Sequence, residues 1–255
     1  MPRARAADRS GGGGFLRSVT LLRERVPSFD EYPFAIPAIR ALDELRFDPG
    51  VAFLIGENGS GKSTLVEAIV ILAGFNPEGG TRHFRFAARP SESRLHESLR
   101  LARSPQRERA GFFLRAETLF NLATEVEQRA LAEYGWEDMH AKSHGEAFLW
   151  LVTERFRPGG LYILDEPEAA LSPQRQLALL RLIHDLVQAK SQFVIATHSP
   201  ILMAYPGATM LALSPEGIVV TSYEDTEHYQ VTRGFMADHR DYLRRLLGDE
   251  PPACS

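Results

Sequence analysis

Three short runs of unbroken apolar residues punctuate the chain: residues 51–55 (VAFLI), 161–164 (LYIL) and 193–196 (FVIA). An apolar run of four or five residues bounded by turn residues reads as a strand buried on both faces, the pattern of a parallel sheet. Between these runs the period changes. Residues 63–74 (STLVEAIVILAG) are apolar almost throughout and predict a buried helix that Gly74 can close. Residues 174–190 place Leu177, Leu180, Ile183, Leu186 and Val187 on one side of a helix. A further strand is predicted at 111–114 (GFFL). A helix is predicted over 117–134 through Leu119, Leu122, Val126 and Leu131, and a polar turn leading into a helix over 143–156. Residues 210–213 and 218–221 flank Pro215-Glu216-Gly217 and predict a hairpin. Residues 225–247 predict helix. Pro27, Pro33 and Pro37 interrupt residues 26–46, which predicts short strands and turns instead of helix.

Buried strands alternating with helices make an α/β fold. The expected architecture is a mainly parallel central sheet flanked by helices, with an antiparallel β portion. Residues 75–110 are polar, arginine-rich and weakly patterned, so they predict surface structure inserted into the core fold. With the helix that follows, they make an inserted, mostly helical lobe over about residues 80–150. One domain is expected over residues 26–250.

Composition narrows the class without naming a function. Hydrophobic residues are 44% and charged residues 24%, which excludes fibrous and fully disordered chains. The only cysteine, Cys254, excludes a disulfide scaffold. The longest apolar stretch, residues 65–75, is about half a bilayer span and holds Glu67, so no membrane insertion is expected. Gly11 to Gly14 stands where a signal peptide would carry its apolar segment, so a cytoplasmic location is expected. Net charge is −4, unevenly spread: Arg3, Arg5, Arg9, Arg17, Arg23 and Arg25 face only Asp8 and Glu24 in residues 1–25. The expectation is a flexible basic tail on an acidic body.

Chemistry enters at the ends of the apolar runs. Gly56-Glu57-Asn58-Gly59-Ser60-Gly61-Lys62-Ser63 fits G-x-x-x-x-G-K-[ST], between a predicted strand and a predicted helix. Glycines let successive backbone N–H groups face an anion, and the helix N-terminus adds partial positive charge. Lys62 can reach the β- and γ-phosphates of a nucleotide, and the Ser63 hydroxyl is placed for Mg²⁺. The second apolar run ends in Asp165-Glu166. Strand ends of a parallel sheet face the ligand crevice, so Asp165 is the candidate Mg²⁺ partner and Glu166 the candidate base for an attacking water. The third run leads into Thr197-His198-Ser199-Pro200, and His198 is a candidate donor to the γ-phosphate. The interval from Asp165 to His198 leaves room for one crossover helix, so the two strands can be neighbours.

Taken together, these residues resemble the ATPase domain of the ABC superfamily. In that resemblance Gly56, Asn58, Gly59, Ser60, Gly61, Lys62, Ser63 and Thr64 form the phosphate loop, residues 161–166 the acidic strand, and His198 the switch histidine. The resemblance implies ATP and Mg²⁺ as ligands, a P-loop NTPase fold, and an ATP-dependent homodimer whose hydrolysis reopens it. It also implies a signature turn before the acidic strand. Ser143-His144-Gly145-Glu146 matches the Ser and first Gly of L-S-G-G-Q, while Lys142 and Glu146 depart from it. Ser143 and Gly145 are therefore candidates to hold the ATP of a second subunit, and Ser143 with Glu146 also fits an ordinary helix cap. The family's Mg²⁺-sensing glutamine is missing after GFFL; Arg115-Ala116-Glu117 stands there, and Glu117 is a candidate metal partner through water. The aromatic stacking on adenine is Tyr32 or Phe34, either of which also fits the core.

Within the superfamily the chain resembles soluble, single-domain, non-transporter AAA family ATPases. The segments that carry this are Asp165-Glu166-Pro167-Glu168-Ala169-Ala170-Leu171-Ser172, the Thr197-His198-Ser199-Pro200 turn, and residues 227–233 (EHYQVTR). Two other classes keep the same motifs: the ATPase subunit of a membrane transporter, and a nucleotide-gated clamp on DNA or in defence. Eight arginines between Arg82 and Arg109 supply a candidate DNA contact, diluted by acidic residues.

Overall fold

In chain order the elements are β1 (Leu16–Leu21), α1 (Pro37–Arg40), β2 (Glu44–Arg46), β3 (Val51–Ile55), α2 (Lys62–Ala73), β4 (Leu99–Arg103), β5 (Ala110–Arg115), α3 (His144–Arg155), β6 (Gly160–Asp165), α4 (Pro173–Gln188), β7 (Gln192–Ala196), α5 (Pro200–Met203), β8 (Thr209–Ser214), β9 (Gly217–Thr221), α6 (Glu227–Ala237) and α7 (His239–Leu247). This computed structural model describes residues 14–81, 93–116 and 144–248. The three apolar runs become neighbours in a six-stranded sheet of order β5-β6-β7-β3-β8-β9. Its strands are parallel except β9, which returns along β8 as the expected hairpin.

Alternation along each strand divides the core. Phe53 and Ile55 of β3 face one layer, with Phe148 and Leu151 of α3 and Leu179 and Ile183 of α4. Ala52 and Leu54 face the other, with Leu65 and Ile69 of α2. Helices thus cover both faces, which is why these strands read as unbroken apolar runs. Gly74 closes α2 with φ 83°, its N–H donating to the Val70 and Ile71 carbonyls. Pro173 opens α4 from its first position, where the missing N–H costs nothing.

The N-terminal expectation needs correction. From Phe15 onward the chain is no basic tail: β1 is the middle strand of an antiparallel sheet of order β2-β1-β4. Leu16, Val19 and Leu21 are buried while Arg17 is exposed, and Arg23 and Arg25 lie in the 3-10 turn that follows the strand. The side chain of Gln192, at the start of β7, fastens this sheet to the parallel one. Its Oε1 accepts the N–H groups of Phe15 (2.7 Å) and Leu16 (2.8 Å), and its Nε2 donates to the carbonyls of Leu16 (2.9 Å) and Asp48 (2.9 Å).

The described part of residues 80–150 contains β4, β5, a 3-10 turn at Leu95–Ser98 and the start of α3. The helix expected over 117–134 lies outside the described residues. Pro37 starts the short helix α1 where a break was expected, because a proline is well tolerated in a first helical turn. Among the described residues no helix is long and apolar enough to cross a membrane.

Candidate functional site

The C-terminal ends of β6, β7 and β3 lie side by side, since Asp165 pairs with Ala196 and Leu54 also pairs with Ala196. Whatever follows each strand therefore meets over β7. After β3 comes the phosphate loop. Gly56 has φ 146°, and a Cβ there would sit 2.5 Å from the Leu213 carbonyl oxygen, so only glycine fits. Gly61, with φ 98°, turns the loop into α2 and brings the helix N-terminus to the cleft. Lys62 is 4% exposed and its Nζ donates to the carbonyls of Gly56 (2.8 Å) and Glu57 (2.9 Å). Burial pushes its ammonium pKa down, against the pull of Glu166, Asp165 and Glu168.

After β6 come the two carboxylates. Asp165 is 3% exposed, and the Ser63 hydroxyl stands 3.4 Å from its Oδ1. Burial holds its pKa above the usual carboxylate value, and Arg115 opposes that. The Arg115 guanidinium lies directly across the β5–β6 ladder and donates from Nε to Asp165 Oδ2 at 2.9 Å. It also lies 3.8 Å from Glu67 Oε2. Glu166 takes left-handed backbone angles (φ 49°, ψ 51°), which cost a non-glycine residue about 1–3 kcal/mol. Its N–H donates to the Ala196 carbonyl (2.9 Å), and its Oε1 stands 3.6 Å from His198 Nε2.

After β7, the His198 backbone N–H donates to Glu168 Oε1 (2.5 Å), which holds the turn in place. On the ring, Nδ1 lies 3.0 Å from His228 Nε2, while Nε2 is buried without a hydrogen-bond partner among the described residues. Burial, and then Lys62, keep the His198 pKa below 6.5. A cleft of about 240 Å³ opens beside these groups, lined by Tyr32, Ser63, Thr64, Arg115, Asp165 and Glu166.

The structure thus brings together Lys62, Ser63, Thr64, Asp165, Glu166 and His198 with the loop glycines and Asn58. Of the two aromatic candidates, Phe34 is 3% exposed and belongs to the core, whereas Tyr32 is 58% exposed with its hydroxyl 3.3 Å from Thr64 Oγ1. Ser143 and Glu117 lie outside the described residues. Gly145 sits in the first turn of α3, buried against α4. A Cβ there would come within 2.9 Å of the Ala170 carbonyl oxygen and 2.7 Å of Arg175 Nη1, and Glu146 pairs with Arg175 at 3.0 Å. The absent side chain at 145 therefore has a packing reason within this chain.

Among the described residues no group of three or more His, Cys, Asp or Glu side chains forms a metal cage. The Ser63 and Asp165 oxygens nevertheless suit Mg²⁺, a hard cation that keeps waters and takes substrate phosphates alongside one or two protein ligands. Sequence reasoning gave no site role to three partners: Arg115, Glu168 and His228. The first needed the pairing of β5 with β6, and the other two stood only inside segments that carried the family resemblance.

Two family models match the chain. One, described as "AAA domain", covers residues 36–112 and includes the whole phosphate loop. The other, described as "AAA domain, putative AbiEii toxin, Type IV TA system", covers residues 147–204 and includes Asp165, Glu166 and His198. Each model covers less than half of the chain, and between them they take in the phosphate loop, the acidic strand end and His198. Among solved structures, the chain is similar to a putative metal-chelate type ABC transporter in an inward-facing conformation (18% identity, 86% of this chain and 88% of that chain, TM-score 0.49). It is also similar to the SMC head domain from Thermotoga maritima (16%, 82% and 98%, TM-score 0.45). A third is cbiO1 from Clostridium perfringens, part of the ABC transporter complex cbiONQ (17%, 81% and 90%, TM-score 0.44). No curated protein matches the chain.

Proposed function

We propose that this chain is a cytoplasmic ATPase of the ABC kind that binds ATP with Mg²⁺, closes as a homodimer around two ATP molecules, and hydrolyses them to reopen. The observation that carries this reading is the convergence of Lys62, Asp165, Glu166 and His198 on one crevice at the strand ends. Loop amides and the N-terminus of α2 hold the phosphates. Lys62 turns from its two loop carbonyls to the phosphate oxygens. Ser63 and Asp165 hold Mg²⁺, which neutralises charge on the β- and γ-phosphates. Glu166 orients a water and takes its proton as the new P–O bond forms and the bond to the β-phosphate oxygen breaks, releasing ADP. His198 Nε2 donates to the γ-phosphate. Tyr32 stands where an adenine ring can stack. Ser143 and Gly145 of the partner protomer close the cage.

The test is phosphate release by the wild-type protein and by Glu166→Gln in the presence of Mg²⁺. The variant should lose roughly 10²- to 10⁴-fold in turnover. It should still bind a fluorescent ATP analogue and should elute as a dimer with ATP. Equal turnover in both proteins, or no uptake of magnesium nucleotide by the wild type, would overturn the reading.

A further inference from the structure

The first turn of α6 sends one polar side chain into the site. His228 Nε2 lies 3.0 Å from His198 Nδ1, with the ring centroids 5.2 Å apart and the planes at 52°. The position is a built one. Thr226 caps α6 by accepting the Tyr229 N–H, and Tyr223, just before the cap, donates its hydroxyl to the Pro200 carbonyl at 2.9 Å. The loop ahead of α6 is thereby tied to α5, which begins two residues after His198.

An imidazole has one proton to place when neutral, and the partner of one nitrogen decides which carries it. Resting on the ATPase reading, we infer that His228 is a positioning residue for hydrolysis: its Nε2–H donates to His198 Nδ1 and so fixes the His198 proton on Nε2, the atom 3.6 Å from Glu166 Oε1. With His228 as donor, His198 Nδ1 can only accept. Its Nε2 must then be N–H, the one form of the neutral ring that can donate to an anionic phosphate oxygen. In the other tautomer a lone pair would face that oxygen and repel it. The same contact links the nucleotide site to α6.

The charged groups around the pair are Lys62, Glu166 and Glu168 from the site, with Glu227 beside His228 on α6 and Glu57 and Asp225 lining the adjoining cavity. Burial lowers the pKa of both imidazoles from the ordinary histidine value, which favours the neutral rings that the bond needs. As pH falls through the lowered values, both rings gain protons and the donor–acceptor pairing is lost.

The test combines two readouts at a pH where both rings are neutral. In two-bond ¹H–¹⁵N correlation spectra, His198 should appear as the Nε2–H tautomer in the wild type and in His228→Gln, whose amide can donate to the same atom. It should appear as a tautomer mixture in His228→Leu. In steady-state hydrolysis, His228→Leu should lose about three- to tenfold in kcat, the worth of one hydrogen bond, with KM unchanged, and His228→Gln should recover most of it. A wild-type His198 protonated on Nδ1, or equal loss of kcat in both variants, overturns the inference. So does full activity in His228→Leu. A wild type that hydrolyses no ATP would refute the ATPase reading alone, because the spectra still decide the tautomer.

Discussion

Gln192 offers the sharpest test of how the two sheets are joined. It is fully buried, and its amide makes four hydrogen bonds to the backbone of Phe15, Leu16 and Asp48. Gln192→Leu keeps nearly the same volume and removes all four bonds. At about 1 kcal/mol net per bond, the loss is about 4 kcal/mol. For a domain of this size each kcal/mol moves Tm by about 2–4 °C, so the melt should fall by about 8–16 °C. Urea unfolding followed by circular dichroism reads the free energy directly. A second readout is local: trypsin should cut the variant after Arg17, an exposed position of β1, well before the rest of the domain opens. A loss below about 1 kcal/mol with β1 still protected would show that apolar packing, without the amide, holds the sheets together.

Two further outcomes follow from named contacts. Arg115→Met removes the cation bonded to Asp165, so the domain should lose about 1–3 kcal/mol of stability. Nucleotide-analogue binding should then saturate at lower Mg²⁺, because the guanidinium no longer competes for the carboxylate; an unchanged Mg²⁺ midpoint would refute the competition. Tyr162→Phe keeps the stack on Phe156, at 4.0 Å between centroids, but deletes a hydroxyl that accepts the Arg157 N–H (2.5 Å) and donates to the Arg157 carbonyl (2.6 Å). It should cost about 1–3 kcal/mol, and an unmoved urea midpoint would contradict that.

Whatever is coded by neighbours in sequence was legible, and whatever is coded by pairing was not. The phosphate loop, the carboxylates after β6 and His198 after β7 each lie within a few residues of an apolar run, so strand and chemistry announce one another. The parallel strands are buried on both faces and leave an unmistakable signature. β1 and β4 are half-buried and carry arginines on their outer faces, and each finds its partner across some 80 residues, as Leu21 pairs with Leu99. Their alternation was too dilute to separate from a basic tail or a polar insert. Arg115 shows the same limit at the site, since only the register of β5 against β6 places it on Asp165. Tyr32 and Phe34 could not be separated until burial assigned Phe34 to the core.

The hold of Lys62 on its own loop bears on which anions the crevice accepts. Both carbonyls it contacts, Gly56 and Glu57, must be exchanged for new acceptors when the side chain turns. An anion that takes the ammonium must therefore replace two acceptors at once, and a tail of several phosphate oxygens can do so while engaging the loop amides as well. The resting hold of the lysine is thus part of the free-energy difference between the empty loop and an occupied one.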